Sequence, residues 1–263
     1  MAALSLDCLT LTDTSPAEVI RAAGAAGLDL VSLCVQGPAL FPSLLLTPDQ
    51  ERNCATMLAD CGVGVHSLEF FDLVSEDAIE AYRPALEMGA RLGGKAALAM
   101  HFTNPDRRHA MDLLGRLVEV AGEYGLTVNL EPVAMGQTRT LAEARDLIRA
   151  SGARAGILFD VWHLVRSGGG VDDLRAIEPK LITYAQFNDG LIAGAPADMV
   201  RESIEERLYP GEGEFPLAEL VQATPRDIPW AIECPSIRRA QAGVSGEKQA
   251  MEAMAAMRRL LDK

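Results

Sequence analysis

A carboxylate and an imidazole stand together at the end of an apolar run. The run 157–159 is followed at once by Asp160, and His163 comes three residues later. A strand that buries apolar side chains gains nothing in packing from a charged group at its end. The pair therefore indicates either an aspartate that caps a following helix or part of a site that binds a metal ion.

Comparable polar residues end several other apolar runs. They are Glu131 in "VNLEPV", Gln186 and Asp189 in "YAQFNDG", and Glu233 in "AIECPS". The two apolar runs that precede that of Glu131 carry the histidines His66 and His101. Each could separately cap a helix or pair with a surface arginine. Three carboxylates and an amide oxygen that converge repel one another unless a cation lies between them, and such oxygen ligands suit Mg²⁺ or Mn²⁺.

The chain alternates short apolar runs with longer amphipathic stretches. Helices are predicted at 15–27, 47–62 and 140–152, each of which opens with Ser or Thr and closes on Gly. Strands are predicted at 4–11, 28–35, 62–70, 95–102, 126–133, 155–162, 181–189 and 228–236.

Eight strand–helix units in 263 residues predict a single-domain (β/α)₈ TIM barrel over 1–263, since such barrels typically have ~250 residues. A doubly wound open sheet is the alternative, but no glycine-rich phosphate loop follows the first strand. Barrel enzymes build their sites at the carboxyl ends of the strands, where these polar residues would meet. The longest irregular connection, 190–216, is expected to be functional.

Composition narrows the classes of function. A net charge of −13 disfavours a nucleic-acid surface, and five scattered cysteines disfavour a disulfide framework or a structural zinc site. No apolar run is long enough for a membrane helix, and the N-terminal segment lacks the basic start of a signal peptide. A cytoplasmic protein that binds neither membranes nor nucleic acid is expected.

Five motifs in a fixed order resemble a known family: "NLEP", "FDVWH", "YAQFNDG", "YPGEGEFPL" and "AIECP". They resemble the xylose isomerase-like TIM-barrel superfamily, and especially its tagatose 3-epimerase, hydroxypyruvate isomerase, inosose dehydratase and 3-dehydroshikimate dehydratase groups. The resemblance implies one divalent metal ion, with ligands Glu131, Asp160, Gln186 and Glu233. Many members have His where this chain has Gln186, which favours Mg²⁺ or Mn²⁺ and leaves Co²⁺ or Zn²⁺ as alternatives.

The resemblance also implies contacts with a small-molecule substrate. His163 is expected to bind a substrate oxygen beside the metal, and Arg207, just before "PGEG", is expected to contact an anion. His66 and His101 are expected on the same rim, either touching substrate or filling the barrel mouth as hydrogen-bonded histidines.

The implied activity is isomerisation or epimerisation of a small sugar or hydroxy-keto acid. The metal would stabilise an enediolate, while Glu131 and Glu233 remove and return the proton. A dehydratase of the 3-dehydroshikimate type is the alternative. An abasic-site endonuclease is disfavoured by Gln186, by "RESIEERLYP" and by the charge, and a metal-free binding protein is the remaining alternative. A homo-oligomer is left open.

Overall fold

In the described part of the chain, eight parallel strands form a closed barrel. Each strand pairs with the next along the chain, and the first pairs with the last. The computed structural model describes residues 2–37, 41–193, 195 and 197–262. The strands are β1 (Leu4–Leu6), β2 (Leu30–Cys34), β3 (Gly64–Asp72), β4 (Ala96–Met100), β5 (Thr127–Glu131), β6 (Ala155–Asp160), β7 (Ile182–Phe187) and β8 (Trp230–Ile232). The predicted single-domain TIM barrel is confirmed, and closure excludes the doubly wound sheet.

Helices follow the strands and cover the outside of the barrel. They are α1 (Pro16–Ala26), α2 (Pro48–Cys61), α3 (Glu76–Ala81), α4 (Arg83–Arg91), α5 (Arg107–Glu123), α6 (Leu141–Ser151), α7 (Val161–Arg166), α8 (Val171–Arg175), α9 (Met199–Glu205), α10 (Leu217–Ala223), α11 (Ile237–Gln241) and α12 (Gly246–Leu261). Short 3₁₀ helices lie at Cys8–Leu11 and Pro179–Leu181. No helix among these combines the length and apolar character of a membrane span.

The helix ends follow from their sequences. Ser15 and Thr140 begin α1 and α6 with capping boxes, in which the side chain accepts a backbone N–H and a glutamate three residues on bonds back. Gly27 and Gly152 end the same helices at φ of 70° and 68°, a left-handed conformation that costs glycine little. The three predicted helices are therefore present with their predicted ends.

Two stretches differ from the sequence expectation. The predicted first strand, 4–11, stops at Leu6 because the Asp7 side chain accepts the backbone N–H of Leu9 and caps a 3₁₀ helix. The connection 190–216 is not wholly irregular, since α9 lies within it and begins at the capping residue Asp198. A local side-chain cap redirects the backbone in both places.

Side chains fill the barrel interior in layers. Leu98, Leu158, Tyr184 and Ala231 form one buried apolar cluster. Side chains two residues apart on a strand point to the same face. The next inward layer therefore carries Met100, Asp160, Gln186 and Glu233, which places the polar site one layer above a closed apolar floor.

Candidate active site

The carboxyl ends of the last four strands carry the predicted polar residues. Glu131 and Asp160 are the final residues of β5 and β6, Gln186 is next to last in β7, and Glu233 directly follows β8. All four side chains are buried. The structure thus places them on one rim, while their role as ligands of a metal ion stays a prediction.

Arg207 lies in the middle of this group. Its Nη1 donates to Asp160 Oδ2 at 3.0 Å and to Glu233 Oε2, and its Nε donates to the carbonyl of Ser203 at 2.8 Å. Burial opposes the charge of Arg207, but the nearby carboxylates outweigh it and raise its pKa further. Arg207 was expected to contact a substrate anion, whereas its guanidinium here pairs with two carboxylates of the protein itself.

His163 is held in one orientation by its neighbours. Its backbone N–H donates to Asp160 Oδ1 at 2.8 Å, and its Nδ1 accepts the backbone N–H of Ala134 at 3.2 Å. A neutral ring with an accepting Nδ1 carries its proton on Nε2, and this atom lies 3.8 Å from Glu131 Oε1 and 3.5 Å from Arg207 Nη2. Burial lowers the pKa of His163 to about 3. The side chain is therefore a neutral hydrogen-bond donor beside Glu131.

The two glutamates Glu131 and Glu233 both have raised pKa values. Burial raises the pKa of Glu131 well above its usual value, and the charge of Asp160 raises it further. Burial likewise raises the pKa of Glu233, although Arg207 opposes the shift. A buried carboxyl group with a raised pKa is suited to act as a general acid or a general base.

The other two predicted histidines lie in different surroundings. His66 is the third residue of β3, one residue before the position level with the start of β4, and its ring packs against Tyr184 with centroids 4.6 Å apart and the planes tilted by 34°. Its expected place on the rim is therefore wrong, because β3 continues six residues further, to Asp72. His101 follows β4 but is occupied within the protein, with Nδ1 2.9 Å from Thr138 Oγ1 and Nε2 2.6 Å from the carbonyl of Asn104.

Two further carboxylates border the site and were not predicted. Asp7 follows β1 and Glu69 lies in β3, and both are fully buried. Their oxygens and the Cys8 sulfur lie within 4.8 Å of one another. Gln186 Nε2 joins this cluster to the predicted set by donating to Asp7 Oδ2 at 2.9 Å and to Glu233 Oε1 at 3.3 Å. The same signal, a carboxylate ending or interrupting an apolar run, marks both residues in the sequence.

The donor set fits a divalent cation. Arg207 is the single lysine or arginine in the described ranges that pairs with any of the five carboxylates Asp7, Glu69, Glu131, Asp160 and Glu233. Gln186 Oε1 and Glu69 Oε1 are buried without a hydrogen-bond partner among the same residues. Clustered buried carboxyl groups and unpartnered oxygens are what a hard divalent ion satisfies.

A cavity of about 560 Å³ opens at these strand ends. Glu131, His163, Arg207 and Glu233 line its polar side. Asp160 and Gln186 do not line it within the described part of the chain and instead support Arg207 and Glu233 through the hydrogen bonds above. A small molecule in this cavity would meet both glutamates and the Nε2 of His163.

One aspartate organises the "PGEGEF" loop that follows Arg207. Asp189, just after β7, accepts four backbone N–H groups at 2.9–3.0 Å, those of Gly190, Gly211, Gly213 and Phe215. A Cβ on Gly213 would lie 2.5 Å from Asp189 Oδ1, so only glycine fits there. Asp189 was predicted as one of the polar residues at the strand ends, and its carboxylate in fact holds the loop.

Comparisons with known proteins agree with this architecture. The protein-family model described as "Xylose isomerase-like TIM barrel" matches residues 20–260. None of the curated proteins matches the chain at a significant level.

Several solved structures share the fold. A xylose isomerase-like TIM barrel/4-hydroxyphenylpyruvate dioxygenase fusion protein has a TM-score of 0.83 and 22% identity, covering 98% of this chain but only 42% of that one. The IolI protein with a bound zinc atom has a TM-score of 0.82 and 17% identity, covering 100% and 98%. A D-allulose 3-epimerase from Methylomonas sp., in complex with D-allulose, has a TM-score of 0.70 and 16% identity, covering 98% and 96%.

At these identities the solved structures show a shared fold. The family model goes further, because it spans most of the chain, from within α1 to the end of α12. The chain belongs to the xylose isomerase-like TIM-barrel family.

Proposed function

We propose that the protein is an isomerase or epimerase that moves a proton on a carbon next to a carbonyl group in a small sugar or hydroxy-keto acid. The observation that carries the proposal is the pair Glu131 and Glu233, two buried glutamates with raised pKa values that line one cavity. Such a pair can take a proton from one side of a substrate carbon and return it from the other.

The remaining polar residues have separate tasks in this proposal. His163 donates from Nε2 to a substrate oxygen, since its Nδ1 is occupied by the N–H of Ala134. Arg207 holds Glu233 through its guanidinium, and Gln186 holds the same carboxylate from the other oxygen. These contacts fix the direction in which Glu233 faces the cavity.

A divalent metal ion is the proposed cofactor. Glu131, Asp160, Gln186 and Glu233 would hold it, and when bound it supplies a Lewis acid that polarises the substrate carbonyl. The oxygen-only donor set favours Mg²⁺ or Mn²⁺, although the related IolI structure contains zinc. The fold shared with the D-allulose 3-epimerase supports an epimerase or isomerase in this family.

Proton exchange is the direct test of the proposal. In D₂O with Mg²⁺ or Mn²⁺ added, the protein should incorporate deuterium next to the carbonyl of D-allulose, D-tagatose or hydroxypyruvate, as followed by NMR. Glu131→Gln and Glu233→Gln should each slow exchange by about 10²–10⁴, the usual contribution of a general acid or base. Glu214→Gln, an exposed glutamate of the same loop region, serves as the control. Exchange that is equally fast in all variants would refute the proposal.

A dehydratase of the 3-dehydroshikimate type is the second candidate. It is favoured by Gln186 on β7, where many members of the family have a histidine. In that reaction one of the two glutamates removes a carbon-bound proton, and the other, whose raised pKa lets it hold a proton, gives that proton to the departing hydroxyl, which leaves as water. Appearance of protocatechuate absorbance on addition of 3-dehydroshikimate would select this candidate over the isomerase.

A further inference from the structure

The cavity wall above the polar residues is largely apolar. Large side chains from β3, the end of β4, α9 and the loops contribute to it, among them Phe41, Phe70, Met100, Phe102, Met135 and Val200. Phe102 and Val200 are 41% and 53% exposed. Apolar surface of this extent facing a cavity is stabilised when a ligand excludes water from it.

Several polar groups within this wall are already hydrogen-bonded inside the protein. Asp72 accepts the backbone N–H groups of Phe102 at 2.9 Å and Thr103 at 3.1 Å. The Tyr82 hydroxyl donates to the carbonyl of Asp72 at 2.9 Å, and the Ser203 hydroxyl donates to that of Val200 at 2.7 Å. Substrate hydroxyl groups placed against this wall would lose their hydrogen bonds to water and gain few in return.

The charges around the cavity also restrict the ligand. Among the lining residues that the structure describes, Arg207 is the one permanent cation, and its guanidinium is shared by Asp160 and Glu233. A bound phosphate group normally requires several N–H donors or cations. Here it would instead meet the acidic side chains of Glu131 and Glu233.

From these three observations we infer the substrate class. The substrate is a hydroxy ketone without a phosphate group, whose reacting end lies against Glu131, His163 and Glu233 and whose other end is an apolar ring or hydrocarbon portion. This inference rests on the proposed function for the reacting end. The conclusion that the other end of the substrate is apolar depends only on the residues that form the cavity wall.

A matched set of ligands tests it. Hydroxyacetone and 2-hydroxyacetophenone share the same hydroxymethyl ketone and differ by methyl against phenyl, and dihydroxyacetone phosphate adds a phosphate. Calorimetry with the Mn²⁺-supplemented protein should show that 2-hydroxyacetophenone binds at least tenfold more tightly than hydroxyacetone. Dihydroxyacetone phosphate should bind no more tightly than hydroxyacetone.

Two variants locate the effect. Phe102→Gln, which keeps the backbone N–H bonded to Asp72, should reduce the preference for the phenyl compound severalfold. Met251→Gln, a similar change at a 55%-exposed position on α12 outside the cavity, should leave it unchanged.

The outcomes separate the inference from the proposed function. Tight binding of the phenyl compound with no deuterium exchange supports the apolar end and contradicts the proposed proton transfer. Exchange with hydroxyacetone but equal binding of the two ketones overturns the inference and leaves the proposed function standing. Tighter binding of dihydroxyacetone phosphate than of either ketone also overturns the inference.

Discussion

Asp189→Asn should destabilise the protein although it changes the shape of the side chain very little. Asp189 Oδ1 accepts the N–H groups of Gly190 and Phe215, and Oδ2 accepts those of Gly211 and Gly213. Asparagine offers one oxygen, so its amide NH₂ would face two backbone donors. The amide can turn its NH₂ towards Gly211 and Gly213, whose N–H groups are partly buried, so two lost hydrogen bonds at about 0.5–1.5 kcal/mol each give a loss of about 1–3 kcal/mol in the free energy of unfolding.

Urea unfolding followed by circular dichroism would measure this loss. Asp198→Asn is the matched control, because Asp198 is exposed and accepts one N–H, that of Arg201 at 3.0 Å, at a helix start where Asp and Asn are equivalent. We expect the control to stay within about 0.5 kcal/mol of the parent protein. A loss below about 1 kcal/mol for Asp189→Asn would show that the carboxylate does not hold the loop, since one lost buried hydrogen bond alone costs that much.

Two further predictions concern the buried cation Arg207 and the histidine His66. Arg207→Met leaves Asp160 and Glu233 without their cation, so in EDTA it should lower the free energy of unfolding by about 3–5 kcal/mol. The control Arg201→Met, at a side chain that is 61% exposed, should change the free energy of unfolding by less than about 1 kcal/mol. Equal effects of the two substitutions would contradict the central position of Arg207. Burial lowers the pKa of His66 to about 4, so the unfolded chain binds a proton more readily between pH 6.5 and 4 and the stability falls as the pH falls through that window. By linkage the loss is at most about 3 kcal/mol, and His66→Asn should show a correspondingly shallower fall in unfolding free energy between pH 7 and 4. Identical pH profiles would refute a lowered pKa of His66 in the folded protein.

The barrel and the positions of its strand-end residues were predictable because they depend on local patterns. Apolar runs of strand length, capping residues such as Ser15 and Thr140, and the final glycines all act within a few residues of themselves. Once eight parallel strands close into a barrel, their carboxyl ends must share one rim. Glu131 and Asp160 were therefore assigned to that rim without any knowledge of contacts.

Contacts between distant segments were not predictable in this way. Arg207 is 47 residues from Asp160 and 26 from Glu233, and its long side chain could equally have faced solvent. Gln186 meets Asp7 across 179 residues, on the seam where β1 comes next to β8. These pairings depend on side-chain rotamers and burial, which no local pattern encodes.

His66 shows the same limit at shorter range. The apolar run that contains it was expected to end near residue 70, but β3 extends to Asp72 and leaves His66 near its amino end. Depth along a strand depends on the register against neighbouring strands, and β3 carries irregularities in register against both β2 and β4.

The sequence by itself thus determined the (β/α)₈ fold and the set of carboxylates at one rim, because periodicity and capping act locally. The tertiary structure alone decided that Arg207 lies among those carboxylates, that Asp7 and Glu69 adjoin them, and that the cavity wall is apolar. Each of these features depends on burial and charge interactions between segments that come together only when the barrel closes.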